Sequence, residues 1–122
     1  MKYELSQRFY FEAAHTLDRE IDTESSRRIH GHTYHTEVTV RGTPDPLTGM
    51  VVDLGYFRKA LHEVRDELDH RFLDEIAGLG SPTLENLCTF ICKALATNLP
   101  GLYKISISRK ASGDSCTIIC DQ

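Results

Sequence analysis

The sequence predicts an α+β domain in which four antiparallel strands form one sheet and two helices pack on one of its faces. Three observations carry this: alternating apolar residues near both ends of the chain, two central stretches whose apolar residues recur at threes and fours, and the order strand, strand, helix, helix, strand, strand. Length agrees, since 122 residues suit a single domain over 1–122, with a real core but little chain to spare for enclosing an active site alone. A site shared between subunits is therefore expected.

The first strand is read from Tyr3 to Phe11, where Tyr3, Leu5, Phe9 and Phe11 share one parity. The polar residues from Thr16 to Arg28 read as a long loop. "HTYHTEVTVRG" is β-branched and alternating, and "TPDPLTG" after it supplies the prolines and glycine of a turn. These two strands should pair antiparallel.

In "MVVDLGYFRKALHEVRDELDH" the period changes, and Leu54, Phe57, Leu61, Val64 and Leu68 form one apolar stripe behind Asp53, a natural N-cap. A second helix is expected over about Thr83 to Asn98, started by "SPT" and ended by "LPG", with Leu84, Leu87, Cys88, Ile91 and Leu95 facing inward. "LYKISISRKA" and "SCTIICD" then alternate around "SGDS", a hairpin turn.

Composition excludes several function classes. A chain that is 40% hydrophobic and 26% charged is an ordinary globular one. Its net charge of −4, without a long basic run, argues against a nucleic-acid partner. "MKYELSQRFYFEAAH" lacks the apolar run of a signal peptide and no later run reaches membrane-spanning length, so a cytoplasmic protein with no membrane partner is expected. Cys88, Cys92, Cys116 and Cys120 fit neither a CxxC motif nor a disulfide ladder and read as buried apolar filling.

The stretch "ESSRRIHGHTYH" raises the question of metal. Residues two apart on a strand share a face, so His30 and His32 would hold their rings roughly 6 to 7 Å apart along the chain, with Gly31 allowing them to converge. A catalytic zinc takes three protein ligands and keeps a fourth position for water or substrate. His15, closing the first strand, is the best third ligand. His35 has the opposite parity and should point away; His62 lies on the polar face of helix one.

"FEAAH", "HGH", "DPLTGMVVDLGYFRKAL", "LDHRFL" and "SPTLENL" occur here in the order and spacing seen in the 6-pyruvoyl-tetrahydropterin synthase and 6-carboxy-tetrahydropterin synthase family, and the chain resembles that family over nearly its whole length. The resemblance implies a tunnelling fold, with the sheets of several subunits, expected as a hexamer, joining into a barrel and active sites lying between subunits. It implies Zn2+ on His15, His30 and His32. It also implies action on 7,8-dihydroneopterin triphosphate, a tetrahydropterin product, and, for bacterial members, a role in queuosine biosynthesis. Asp69 and His70 in "LDH" match the family's catalytic pair, in which a carboxylate orients the ring.

The match fails at informative places. Where the family has a catalytic cysteine before the HGH, this chain has Ser26 and Glu24; an unactivated serine is a poor substitute for a thiolate, whereas Glu24 could serve as base. The pterin-anchoring Glu of the family falls on Arg109, which offers donors only. A hydroxyl residue of the family is Leu84 here, while Thr83 and Glu85 remain.

The leading reading is a zinc-dependent lyase acting on a dihydroneopterin triphosphate-like substrate, with Asp69, His70 and Glu24 as catalytic candidates and Thr83, Glu85, Arg109 and Ser26 as substrate contacts. A second is a zinc enzyme of the same fold whose anionic or carbonyl-bearing, non-pterin substrate is read by Arg109. A third is a non-catalytic oligomeric binding protein with structural zinc.

Overall fold

The computed structural model describes residues 1–18, 20, 24 and 27–120. The element order is β1 (Tyr3–His15), β2 (His30–Gly42), α1 (Leu54–Leu68), a short 3-10 turn (Leu73–Glu75), α2 (Leu84–Ala96), β3 (Leu102–Arg109) and β4 (Asp114–Ile119). The strands form one antiparallel sheet in the order β1-β2-β3-β4, as alternation at the chain's two ends predicts. No helix is long and apolar enough to cross a membrane among the described residues.

One sheet face carries the core. Phe11, Tyr34, Val38, Ile105 and Ile107 are buried on it beneath Phe57, Leu61, Val64 and Leu68 of α1 and Leu87, Cys88, Ile91 and Leu95 of α2. The other face is polar, with Ser6 on Thr39, Arg8 on Glu37 and Ser106 on Thr117 as cross-strand pairs. The cysteines form no disulfide; Cys88 and Cys120 are buried, as apolar filling requires, while Cys92 and Cys116 are half-buried.

Local chemistry sets the element ends. Asp53 accepts from the Tyr56 amide at 2.9 Å to cap α1, and Thr83 accepts from the Asn86 amide at 3.1 Å to cap α2. The turn into β3 needs Gly101, whose φ is +83° and where a Cβ would sit 2.8 Å from the Arg41 carbonyl oxygen.

Strand β1 runs past the expected Phe11 to His15, and two further details differ from the sequence expectation. Leu54, in the first turn of α1, is exposed although it shares the apolar stripe, and Ala60 joins the buried face. The β3–β4 turn is "KASG" rather than "SGDS", closed by Gly113 at φ +79°, so Asp114 begins a strand opposite Arg109. That shift matters for the site.

Phe57 is fully buried between α1 and the sheet. Phe57→Ala is expected to lower unfolding free energy in urea by about 3–5 kcal/mol, the usual cost of emptying such a position; a loss under about 1 kcal/mol would show that α1 does not anchor this core.

Candidate active site

The β1–β2 register places His15 directly opposite His30 and Ala13 opposite His32, so three imidazoles meet on the core face at the end of the two strands. Their ring centroids are 4.5, 4.8 and 5.0 Å apart and their planes cross at 68 to 87°. One ligand atom from each lies within 4.8 Å of the others. His15 is 1% exposed, while His30 and His32 are half-buried.

Hydrogen bonds fix which nitrogens are free. A carbonyl only accepts, so His15 Nδ1 donates to the Pro82 carbonyl at 3.1 Å and His30 Nδ1 donates to that of Arg28 at 2.7 Å. Both rings therefore turn an Nε2 lone pair inward when neutral. His15 Nε2 and His32 Nε2 are 3.0 Å apart, close to the roughly 3.3 Å that tetrahedral zinc at about 2.0–2.1 Å imposes on two nitrogen ligands. Carbonyl-held imidazoles converging on one point are the donor set that zinc takes.

Electrostatics favour the neutral rings. Burial pushes the His15 pKa below its usual value, helped by His30 and Arg109 and opposed by the Pro82 carbonyl. Burial, then Arg109 and His15, pushes His32 down to about 4. Because both folded pKa values lie below the unfolded value of 6.5, the unfolded chain binds more protons below that pH. Metal-free protein is thus expected to lose stability as pH falls from about 6.5 toward about 4. Urea midpoints measured at pH 7 and pH 5 check this, and a midpoint that rises on acidification would contradict it.

A second group hangs from the same strand. Asp69, which ends α1, accepts from the Glu12 amide at 2.9 Å through Oδ1 and from His70 Nδ1 at 2.9 Å through Oδ2, where Arg65 also pairs at 3.2 Å. The Glu12 amide, His70 and Arg65 hold the Asp69 pKa below the usual carboxylate value against its burial. His70 donates its own amide to the Glu12 carbonyl at 2.6 Å and has φ +59°, the one left-handed non-glycine conformation among the described residues. Such a conformation persists only where surrounding bonds enforce it. His70 remains 76% exposed at its side chain and lines a cavity of about 540 Å³ with Gly31, His32 and Phe72.

The other sequence candidates are distributed around this centre. Thr83 and Glu85 flank and follow Pro82, the residue that holds His15, and the Thr83 oxygen also serves as the α2 cap. Arg109 is 17% exposed at its side chain and pairs with Asp114 at 3.1 Å. Glu24 is 86% exposed and pairs with Arg28, two residues before His30. Ser26 lies outside the described residues. His35 lies near Tyr10 on the polar face, at 6.2 Å between tilted rings, as strand parity predicts, and His62 is exposed on the polar face of α1 as expected.

Sequence reasoning missed Pro82, Asp74 and Tyr34. The Asp74 carboxylate accepts from both the amide (2.9 Å) and the hydroxyl of Thr16, and so fixes the chain just past His15. Tyr34 shares strand parity with His30 and His32, which is a usable signal; Pro82 and Asp74 arrive only through tertiary packing.

The 6-pyruvoyl tetrahydropterin synthase family model matches residues 4–119. This chain belongs to that family. Dihydroneopterin monophosphate aldolase of Pyrococcus furiosus is 36% identical over 105 residues, covering 86% of this chain and 85% of the relative. The Synechocystis 6-carboxy-5,6,7,8-tetrahydropterin synthase is 35% identical over 105 residues, covering 81% and 80%. The 6-pyruvoyl tetrahydropterin synthase structure from Caenorhabditis elegans superposes with a TM-score of 0.83 at 27% identity, covering 98% of this chain and 96% of its own. Synthase-family membership and the four-stranded, two-helix architecture therefore agree with the sequence expectation.

Proposed function

We propose that this member of the synthase family is a zinc-dependent lyase acting on the side chain of a phosphorylated dihydroneopterin. The observation that carries the reading is the convergence of His15, His30 and His32, with His32 lining one cavity together with His70, whose partner Asp69 is tied to β1 through the Glu12 amide. Zinc on the three imidazoles would act as a Lewis acid on side-chain oxygens and acidify the adjacent C–H.

The protein's own groups would do the rest. His70, exposed in the cavity and oriented by Asp69, moves a proton at the substrate side chain. Asp69 stays ionised and fixes the His70 ring through Nδ1, which leaves Nε2 for that proton. Glu24 is the candidate second base, on the segment that leads into His30, and Ser26 is the candidate hydroxyl contact there. Thr83 and Glu85 contact substrate from the segment that Pro82 ties to His15.

A homo-oligomer, expected as a hexamer, with sites between subunits follows from the resemblance. The outer edge of β4, the outer edge of β1 before Tyr10, neither of which pairs with a further strand among the described residues, and the polar sheet face support it, because exposed edges are templates for pairing. A cytoplasmic location and a place in queuosine biosynthesis complete the proposal.

The test is to incubate zinc-loaded protein with dihydroneopterin triphosphate and, separately, with the monophosphate named in the Pyrococcus relative. Release of triphosphate, or of a phosphorylated aldehyde fragment by carbon–carbon cleavage, is expected. No product from either would reject the reading.

A further inference from the structure

Arg109 ends β3 on the sheet face that carries the histidines. The pairs Thr36↔Ile107 and His35↔Ser108 continue to set Tyr34 alongside Arg109, and Tyr34 stands two residues from His32 on that face. On the far side Arg109 is opposite Asp114. The guanidinium is thus placed in a row with the candidate metal centre by register, with β4 behind it.

Only part of that guanidinium is used. Nη2 pairs with Asp114 Oδ2 at 3.1 Å, and the same oxygen accepts from the Ser112 hydroxyl at 2.9 Å. Arg109 Nε is buried without an acceptor at good hydrogen-bond geometry, and the guanidinium meets the buried Tyr34 hydroxyl, which is likewise incompletely satisfied. Arginine carries five N–H donors and no acceptor, so it cannot serve a ligand edge made of amino and amide donors. It suits an oxyanion, to which its planar fork donates in parallel.

Charge points the same way. Arg109 stands within electrostatic reach of His15 and His32. A divalent cation on three neutral imidazoles beside this guanidinium leaves Asp114 and Asp74 as the acidic neighbours to offset them. Partly buried positive charge left over in this way favours an anionic ligand.

We propose that Arg109, braced by Asp114, binds an oxyanion of the substrate, a phosphate or a carboxylate, beside the three-histidine centre. The inference rests on the metal-centre reading above and names the group that the centre's neighbourhood selects. The competing role for Arg109 is to pin the β3–β4 hairpin through Asp114.

The experiment uses cobalt-loaded protein titrated with inorganic phosphate and, in a parallel arm, acetate, followed by the cobalt visible bands and by calorimetry. Saturable binding of at least one anion is expected, weakened tenfold or more in Arg109→Gln and less in Arg109→Lys, with cobalt stoichiometry and melting temperature unchanged. Preference between the arms identifies phosphate or carboxylate as the source. Cobalt uptake with no anion binding, or with equal affinity in Arg109→Gln, would overturn the anion site and leave the metal centre standing. No cobalt uptake by the unsubstituted protein would overturn both.

Discussion

His15→Ala is expected to abolish stable zinc binding, taking the metal content of dialysed protein from about one per chain to near zero. His15 is the most buried of the three histidines, sits directly opposite His30, and has its ring fixed by the Pro82 carbonyl. Loss of an outer partner of a metal-bound histidine alone weakens binding by about 10–100-fold, and removal of the ligand itself should exceed that. Neighbouring rings cannot compensate: His35 lies on the other sheet face. His35→Ala is the matched control, since it removes an imidazole five residues from His30 and leaves the cluster whole. Elemental analysis after zinc loading, with far-UV circular dichroism to verify folding, decides the matter. Stoichiometric zinc in folded His15→Ala would mean that the three rings do not form the site.

Why the three-histidine cluster is readable in the sequence is a matter of strand geometry. Period-two alternation puts His30 and His32 on one face, and an antiparallel neighbour ending at His15 is the simplest way to add a third ring. The register then realises it, with His15 opposite His30. The cap residues Asp53 and Thr83 and the inward residues of α2 are legible for the same reason, because they depend on spacing within one element.

What is not legible depends on contacts between elements. Pro82 reaches His15 across 67 positions, and Asp69 reaches the Glu12 amide across 57. No local pattern announces either bond. Asp114 shows how a small error propagates: a turn at "SGDS" would place it in the loop, whereas the left-handed Gly113 ends the turn two residues earlier and gives Arg109 its partner. Arg109 itself stands out as a chemical departure from the family, but its buried Nε and its neighbour Tyr34 emerge only from the packed sheet.

The pair Asp69–His70 separates a catalytic centre from a structural one. His70→Ala is expected to lower kcat by about 10²–10⁴, the usual contribution of a positioned acid or base, with zinc content unchanged. The side chain is 76% exposed and is absent from the triad, so its removal takes away neither core packing nor a metal ligand. Relief of its left-handed backbone is not available to alanine either, so the backbone strain is retained and the comparison isolates the ring. Asp69→Asn should lower kcat in the same direction, because an amide cannot hold His70 Nδ1 as a charged acceptor does. It also weakens the Glu12 amide and Arg65 bonds, so a stability loss should accompany it and not His70→Ala. If zinc merely braced an oligomeric binding protein, His70→Ala would leave turnover of both dihydroneopterin phosphates where it was. Steady-state kinetics on zinc-loaded His70→Ala distinguishes the cases, since a ring whose one contact is its exposed bond to Asp69 changes kcat chiefly through the chemistry it performs.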